Sequence, residues 1–134
     1  MKNLSFEFDE SQHVGAGAPR ISVEFAGGDI AYLSAFYCNH PLASSGNTWG
    51  RADFTRFVTN CAIWDNNGVE YSADGTETAW QKYVDAHPDA DVTEAFVVLD
   101  EEGTYNLDRI SLGAGKMYTR DFGAAKSCTT ESSC

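Results

Sequence analysis

Arg20-Ile21-Ser22-Val23-Glu24-Phe25-Ala26-Gly27-Gly28-Asp29-Ile30-Ala31-Tyr32-Leu33-Ser34-Ala35-Phe36-Tyr37-Cys38 is the stretch that decides the fold. Ile21, Val23 and Phe25 alternate with Ser22 and Glu24, the period-two rhythm of a strand with one buried face. Gly27-Gly28-Asp29 turns the chain. Residues 29 to 38 then carry apolar side chains on both faces, Ile30, Tyr32 and Phe36 on one and Leu33, Ala35 and Tyr37 on the other, as a covered central strand would.

The same rhythm extends in both directions. Leu4, Phe6 and Phe8 alternate with polar partners, and Gly15-Ala16-Gly17-Ala18-Pro19 connects that strand to the next, with Pro19 just before a strand start, where a missing N–H is tolerated. Residues 40–50 read as a loop rich in Pro, Ser, Gly and Asn that ends on an isolated Trp49. Phe54 to Trp64 returns to strand composition. Asp65-Asn66-Asn67-Gly68 is a hairpin signal, because Asn and Gly accept the positive φ of tight turns, and Val69 and Tyr71 begin the return strand.

A single helix interrupts the pattern at about residues 78–87: Thr78 is placed to cap, Gln81 follows at capping-box spacing, Trp80, Tyr83 and Val84 share a face, and Pro88 ends it at His87. Phe96-Val97-Val98-Leu99 is a further strand, Asp100-Glu101-Glu102-Gly103 reads as its hairpin turn, and Thr104 to Leu112 as the return. The alternation slips near Asp108, which predicts a bulge. Lys116 to Thr119 is a last short strand. About seven to nine strands and one helix point to an all-β, two-sheet, jelly-roll-like β-sandwich with a short inserted α-helix.

At 134 residues, with 43% hydrophobic and 13% aromatic content, the chain has the size and core of one domain. We read residues 1–126 as the sandwich and 127–134 as a tail. Nine basic residues against 20 acidic ones give a net charge of -11, which opposes nonspecific binding to phosphate backbones or anionic lipid and excludes nucleic acid as the expected partner. No apolar run reaches the roughly 18–20 residues of a membrane span, so no membrane insertion is expected.

Four cysteines, Cys38, Cys61, Cys128 and Cys134, allow several pairings, of which Cys38–Cys61 and Cys128–Cys134 tie strand to strand and the tail to itself. Zinc through Cys38-Asn39-His40 and four reduced thiols are the rival readings. The absence of any Cys-x-x-Cys and the polar setting of the tail cysteines favour disulfides and an extracellular or cell-surface location. The start shows no signal-peptide core, so an exported form is expected to be a mature or excised piece.

Catalytic signatures are sparse. No Gly-x-Ser-x-Gly and no His-Glu-x-x-His occur, and His13, His40 and His87 fall in loops or at a helix end. A carboxylate-based glycoside hydrolase would need a shielded acid, and Glu24 and Asp108 are the acids nearest apolar surroundings. The aromatic side chains stand out instead. Trp49, Trp64 and Tyr71, with Asn66 and Asn67 beside them, are the candidate ligand-binding residues, since ring faces stack on the C–H surface of sugars while amides bond the hydroxyls. The competing structural role is plugging the open ends of a sandwich.

Residues 17–23, the Cys38 and Trp49 region, and residues 95–113, with Ala95-Phe96-Val97-Val98-Leu99-Asp100 leading to Asp108-Arg109-Ile110-Ser111-Leu112-Gly113, resemble the jelly-roll domains related to carbohydrate-binding modules of secreted proteins. The resemblance covers about Gly17 to Gly113, with Arg109 where that family usually has Asn. It implies a non-catalytic extracellular sandwich, sometimes stabilised by calcium, for which Glu7 and Asp108 are the matching acids. The expected activity is binding of glycans or other surface polymers. The alternative is a structural subunit of an extracellular filament, surface layer or virion that self-assembles with like copies.

Overall fold

The structure, a computed structural model, describes residues 3–42 and 48–113. The expected strand at 116–119, the tail at 127–134 and the Cys128–Cys134 pairing lie outside those residues. Among the described residues nine strands and one α-helix follow in the order β1 (Leu4–Asp9), β2 (Arg20–Phe25), β3 (Ile30–Ser34), β4 (His40–Pro41), β5 (Trp49–Asp53), β6 (Ala62–Asp65), β7 (Glu70–Ser72), α1 (Ala79–Ala86), β8 (Val92–Val98) and β9 (Leu107–Leu112). They form a four-stranded sheet, β4-β5-β1-β9, and a five-stranded sheet, β7-β6-β3-β2-β8.

The pairing is nested: β1 with β9, β2 with β8, β3 with β6 and β4 with β5, all antiparallel. That is the pattern of one long ribbon rolled over itself, and it is why the sandwich is jelly-roll-like. The apolar alternation dictates the layers. Leu4, Phe6 and Phe8 of β1 face Ile21, Val23, Leu33 and Ile63 of the other sheet, and all are almost wholly buried. Each such side chain contributes about 1.5–3 kcal/mol on removal from water.

The helix closes one end. Thr78 Oγ1 accepts the Gln81 N–H at 3.1 Å, while the Gln81 side chain reaches Asp85 rather than completing a capping box. Trp80 donates its backbone N–H to Phe54 O, and the Trp80 and Tyr83 rings stack on Phe25, so α1 bridges both sheets. The slip at Asp108 is a bulge: Ser5 pairs with Ser111 and Glu7 with Asp108, and Arg109 takes up the extra residue at φ 48°.

Three elements differ from expectation. The central strand stops at Ser34, whose hydroxyl accepts the Phe36 N–H at 3.2 Å and starts a 3-10 turn over Ala35–Tyr37. Trp49 opens β5 rather than ending a loop, and residues 54–60 are turns rather than strand. Residues 99–106 are a crossing between the sheets rather than a hairpin, because β9 leaves β8 to pair with β1.

Candidate functional site

Antiparallel register places directly opposed residues on one face. Ser22 lies opposite both Phe96 and Tyr32, Tyr32 opposite Trp64, and Trp64 opposite Glu70. Since Ile21, Leu33 and Ile63 point inward, the row Phe96, Ser22, Tyr32, Trp64 crosses the outer face of the five-stranded sheet. An open cleft of about 340 Å³ forms on this face, lined by Ala16, Gly17, Arg20, Tyr32, Ser34, Tyr37 and Trp64. Its size falls in the lower part of the range that small-ligand sites occupy.

The 3-10 turn after β3 is what brings Tyr37 to the cleft. A continued strand would point it to the inner face. Instead its ring lies 6.2 Å from that of Trp64 at 51°, while Phe36 is 54% exposed. The Cys38–Cys61 disulfide, with Cα atoms 4.0 Å apart, then pins this turn to the segment that enters β6. The expected pairing of these two cysteines is therefore present.

Arg20 forms another wall. Its guanidinium carbon stands 5.4 Å from the Tyr32 ring centroid, Nε donates to Ser22 Oγ at 3.0 Å, and Nη1 donates to Gly17 O at 2.7 Å and to both Asp100 carboxylate oxygens at 3.0 Å. The loop at Gly17 is held from behind by Glu101, which accepts the Gly17 N–H at 3.1 Å and pairs with His13 at 2.8 Å. The His13 bond and the Gly17 N–H, working against burial, hold the Glu101 carboxyl below its ordinary range. Trp64 Nε1 is shielded from solvent with no hydrogen-bond partner among the described residues.

Of the five ligand-binding residues expected from sequence, Trp64 reaches this cleft. Tyr71 faces inward, edge-on to Tyr83 at 5.0 Å, and donates its hydroxyl to Asp65 Oδ2 at 3.0 Å. Burial and the Asp65 carboxylate push the Tyr71 hydroxyl up to about 12. Asn66 ties two turns together, accepting the Ile30 N–H at 3.0 Å and donating to Gly28 O at 3.2 Å. Asn67 is exposed in the β6–β7 turn, where its backbone N–H donates to Asp65 Oδ1. Trp49 stands opposite Asp9 on the other sheet. Sequence reading passed over Arg20, Tyr32 and Tyr37. The signal was there for the first two, which share the outward side of the strand alternation.

The register sets Glu7 opposite Asp108, the pair expected for calcium. Glu7 Oε2 faces Arg51 at 3.5 Å, Oε1 faces Arg109 at 3.4 Å, and Asp108 Oδ1 accepts the Arg109 N–H at 2.8 Å. A calcium ion there would have to displace two guanidiniums. Cys38, His40 and Cys61 cluster their potential ligand atoms within 4.8 Å, but the sulfurs are bonded to each other and offer no thiolate to a soft cation. Glu24 and Asp108 stand on different sheets. No helix among the described residues is long and apolar enough to cross a membrane.

Comparison with protein-family models, with curated proteins and with solved structures finds no match to this chain. The cleft's own geometry carries the functional reading.

Proposed function

We propose that the protein is a non-catalytic module that binds glycans or other surface polymers outside the cell or at its surface, and that the outer face of the five-stranded sheet is its binding face. The observation that carries this reading is the aromatic row, Phe96 to Tyr32 to Trp64, ending in a cleft walled by Tyr37 and Arg20. Stable monomeric surfaces seldom leave several rings on one open face without use. Flat rings offer the C–H surface of a sugar a stacking platform, and the guanidinium offers its oxygens a donor. The disulfide supports the location, since such bonds persist in oxidising compartments.

Titration with a panel of soluble oligosaccharides and polysaccharides, read by tryptophan fluorescence, tests the proposal. Saturable binding that Trp64→Ala weakens at least tenfold is the expected result. A panel that leaves the fluorescence and the melting temperature unchanged contradicts it.

A further inference from the structure

Resting on the glycan reading of the same cleft, we infer that its occupant is a neutral sugar bearing an acetamido group, an N-acetylhexosamine unit, rather than a plain hexose or a uronic acid. Three observations lead there.

The cleft is rich in donors. Arg20 spends Nε and Nη1 on Ser22, Gly17 and Asp100, which leaves Nη2 with no partner among the described residues. Trp64 Nε1 in the same wall is likewise unpartnered, and a buried donor without an acceptor is unusual enough to require a cause. Tyr32 and Tyr37 add hydroxyls, each able to donate or to accept, so that carboxylates and amides are the acceptors the cleft lacks.

Acceptors are scarce. No Asp, Glu, Asn or Gln side chain is among the described lining residues, and Ser34 Oγ already accepts the Phe36 N–H at 3.2 Å. Each hydroxyl of a plain hexose carries a proton that needs an acceptor, which carboxylates and amides usually supply. An acetamido group replaces one hydroxyl by an amide: its single N–H stands in for the lost O–H, and its carbonyl is a stronger acceptor for the Arg20 guanidinium than a hydroxyl is. The acetamido methyl is apolar and suits the Tyr32, Tyr37 and Trp64 rings.

Charge separates the remaining candidates. A uronate would also accept from Arg20, but the Arg20 charge is balanced by Asp100, Glu101 stands behind the neighbouring loop, and the chain carries a net charge of -11. An anion entering this cleft gains no net positive partner and meets the field of the whole protein. A neutral acceptor loses nothing to that field.

Calorimetric titration of the full chain with length-matched oligomers of N-acetylglucosamine, glucose and glucuronate decides the matter. The N-acetylated oligomer is expected to bind at least tenfold more tightly than the other two, with an affinity that stays within twofold between low and high salt. Arg20→Gln removes most of that preference. Should Arg20→Gln fail to fold, Asp100→Asn tests the same point from outside the sheet: freeing the guanidinium charge raises glucuronate affinity at least threefold. Equal binding of the glucose oligomer, tightest binding of glucuronate, or an Asp100→Asn variant no better at glucuronate overturns the inference and leaves the glycan reading standing. Failure of every sugar to bind removes both.

Discussion

The two outer faces of the sandwich are built from the same alternation and end up with opposite chemistry. On the four-stranded sheet the outward residues satisfy each other: Glu7 lies between Arg51 and Arg109, Arg51 also holds Asp53, and Asp9 gathers the hydroxyls of Ser11 and Thr48. On the five-stranded sheet a row of rings and a guanidinium crosses the middle of the outward face, with Glu24, Glu94 and Glu70 at its margins. A face whose polar groups are mutually paired has little to offer a ligand, because every new bond must first break an old one. A face that leaves ring surface and part of a guanidinium open gains by being covered.

The largest effect should come from removing what both faces share. Phe8, on β1 opposite Gly50 of β5, is 1% exposed, and Phe8→Ala is expected to cost about 3–5 kcal/mol in urea unfolding through lost burial and a residual cavity. Cleft and charged face should then melt together, and a variant that loses one face alone would show the sheets to be independent. Replacing Cys38 and Cys61 together by Ser opens a sequence separation of 23 residues and should cost about 3 kcal/mol by loop-closure entropy, measured under the same denaturant. Because the bond pins Tyr37 beside Trp64, this variant should also weaken ligand binding, whereas its effect on the charged sheet should be stability alone.

The inner Asp65–Tyr71 pair gives a pH signature belonging to the five-stranded sheet. Burial pushes the Asp65 carboxyl up, but the Val69 and Asn67 N–H groups and the Tyr71 hydroxyl outweigh it and leave the carboxyl below its ordinary value. Its contribution is therefore present above the unfolded carboxylate value, about 3.9, and is lost as pH falls through the lower folded value. Tyr71, raised to about 12, contributes below pH of about 10 and loses that contribution as pH climbs toward 12. Thermal melts across pH should show both losses in the wild type, and both reduced in Tyr71→Phe. The smallest effect is reserved for the charged face. Glu7→Gln keeps an acceptor oxygen for one arginine and gives up the ion pair with the other, and its cost should stay near about 1 kcal/mol. A cost several times larger would show that this ion-pair cluster holds the sandwich together.

In each sheet some strands are legible in the sequence and others are not, for reasons that particular residues supply. β1, β2 and the hairpin at Asp65–Gly68 announce themselves because large apolar residues mark the inward positions and Asp65 accepts the Asn67 and Val69 N–H groups that close the turn. The strand β5 hides because its inward residues are Gly50 and Ala52, small where Phe8 and Phe6 fill the space opposite, while Trp49 and Arg51 point out. Its pattern is that of a loop ending on an isolated Trp49. The alternation places Tyr37 on the inner side, and one hydroxyl, that of Ser34, reverses this by switching the backbone from a period of two to a 3-10 turn. The β2–β3 hairpin register follows from Gly27 and Gly28, and so does the meeting of Arg20, Ser22 and Tyr32. The pairing of β3 with β6, which brings in Trp64, joins distant segments and has no local signature.

The central claim, that one outer face binds and the other does not, is tested most directly by comparing two tryptophans. Trp64→Ala and Trp49→Ala remove the same side chain from opposite sheets, and each is titrated with the tightest-binding oligosaccharide. At least a tenfold loss is expected for Trp64→Ala, about 1.4 kcal/mol or more, and a change within twofold for Trp49→Ala. Equal losses, or a loss confined to Trp49→Ala, would contradict it.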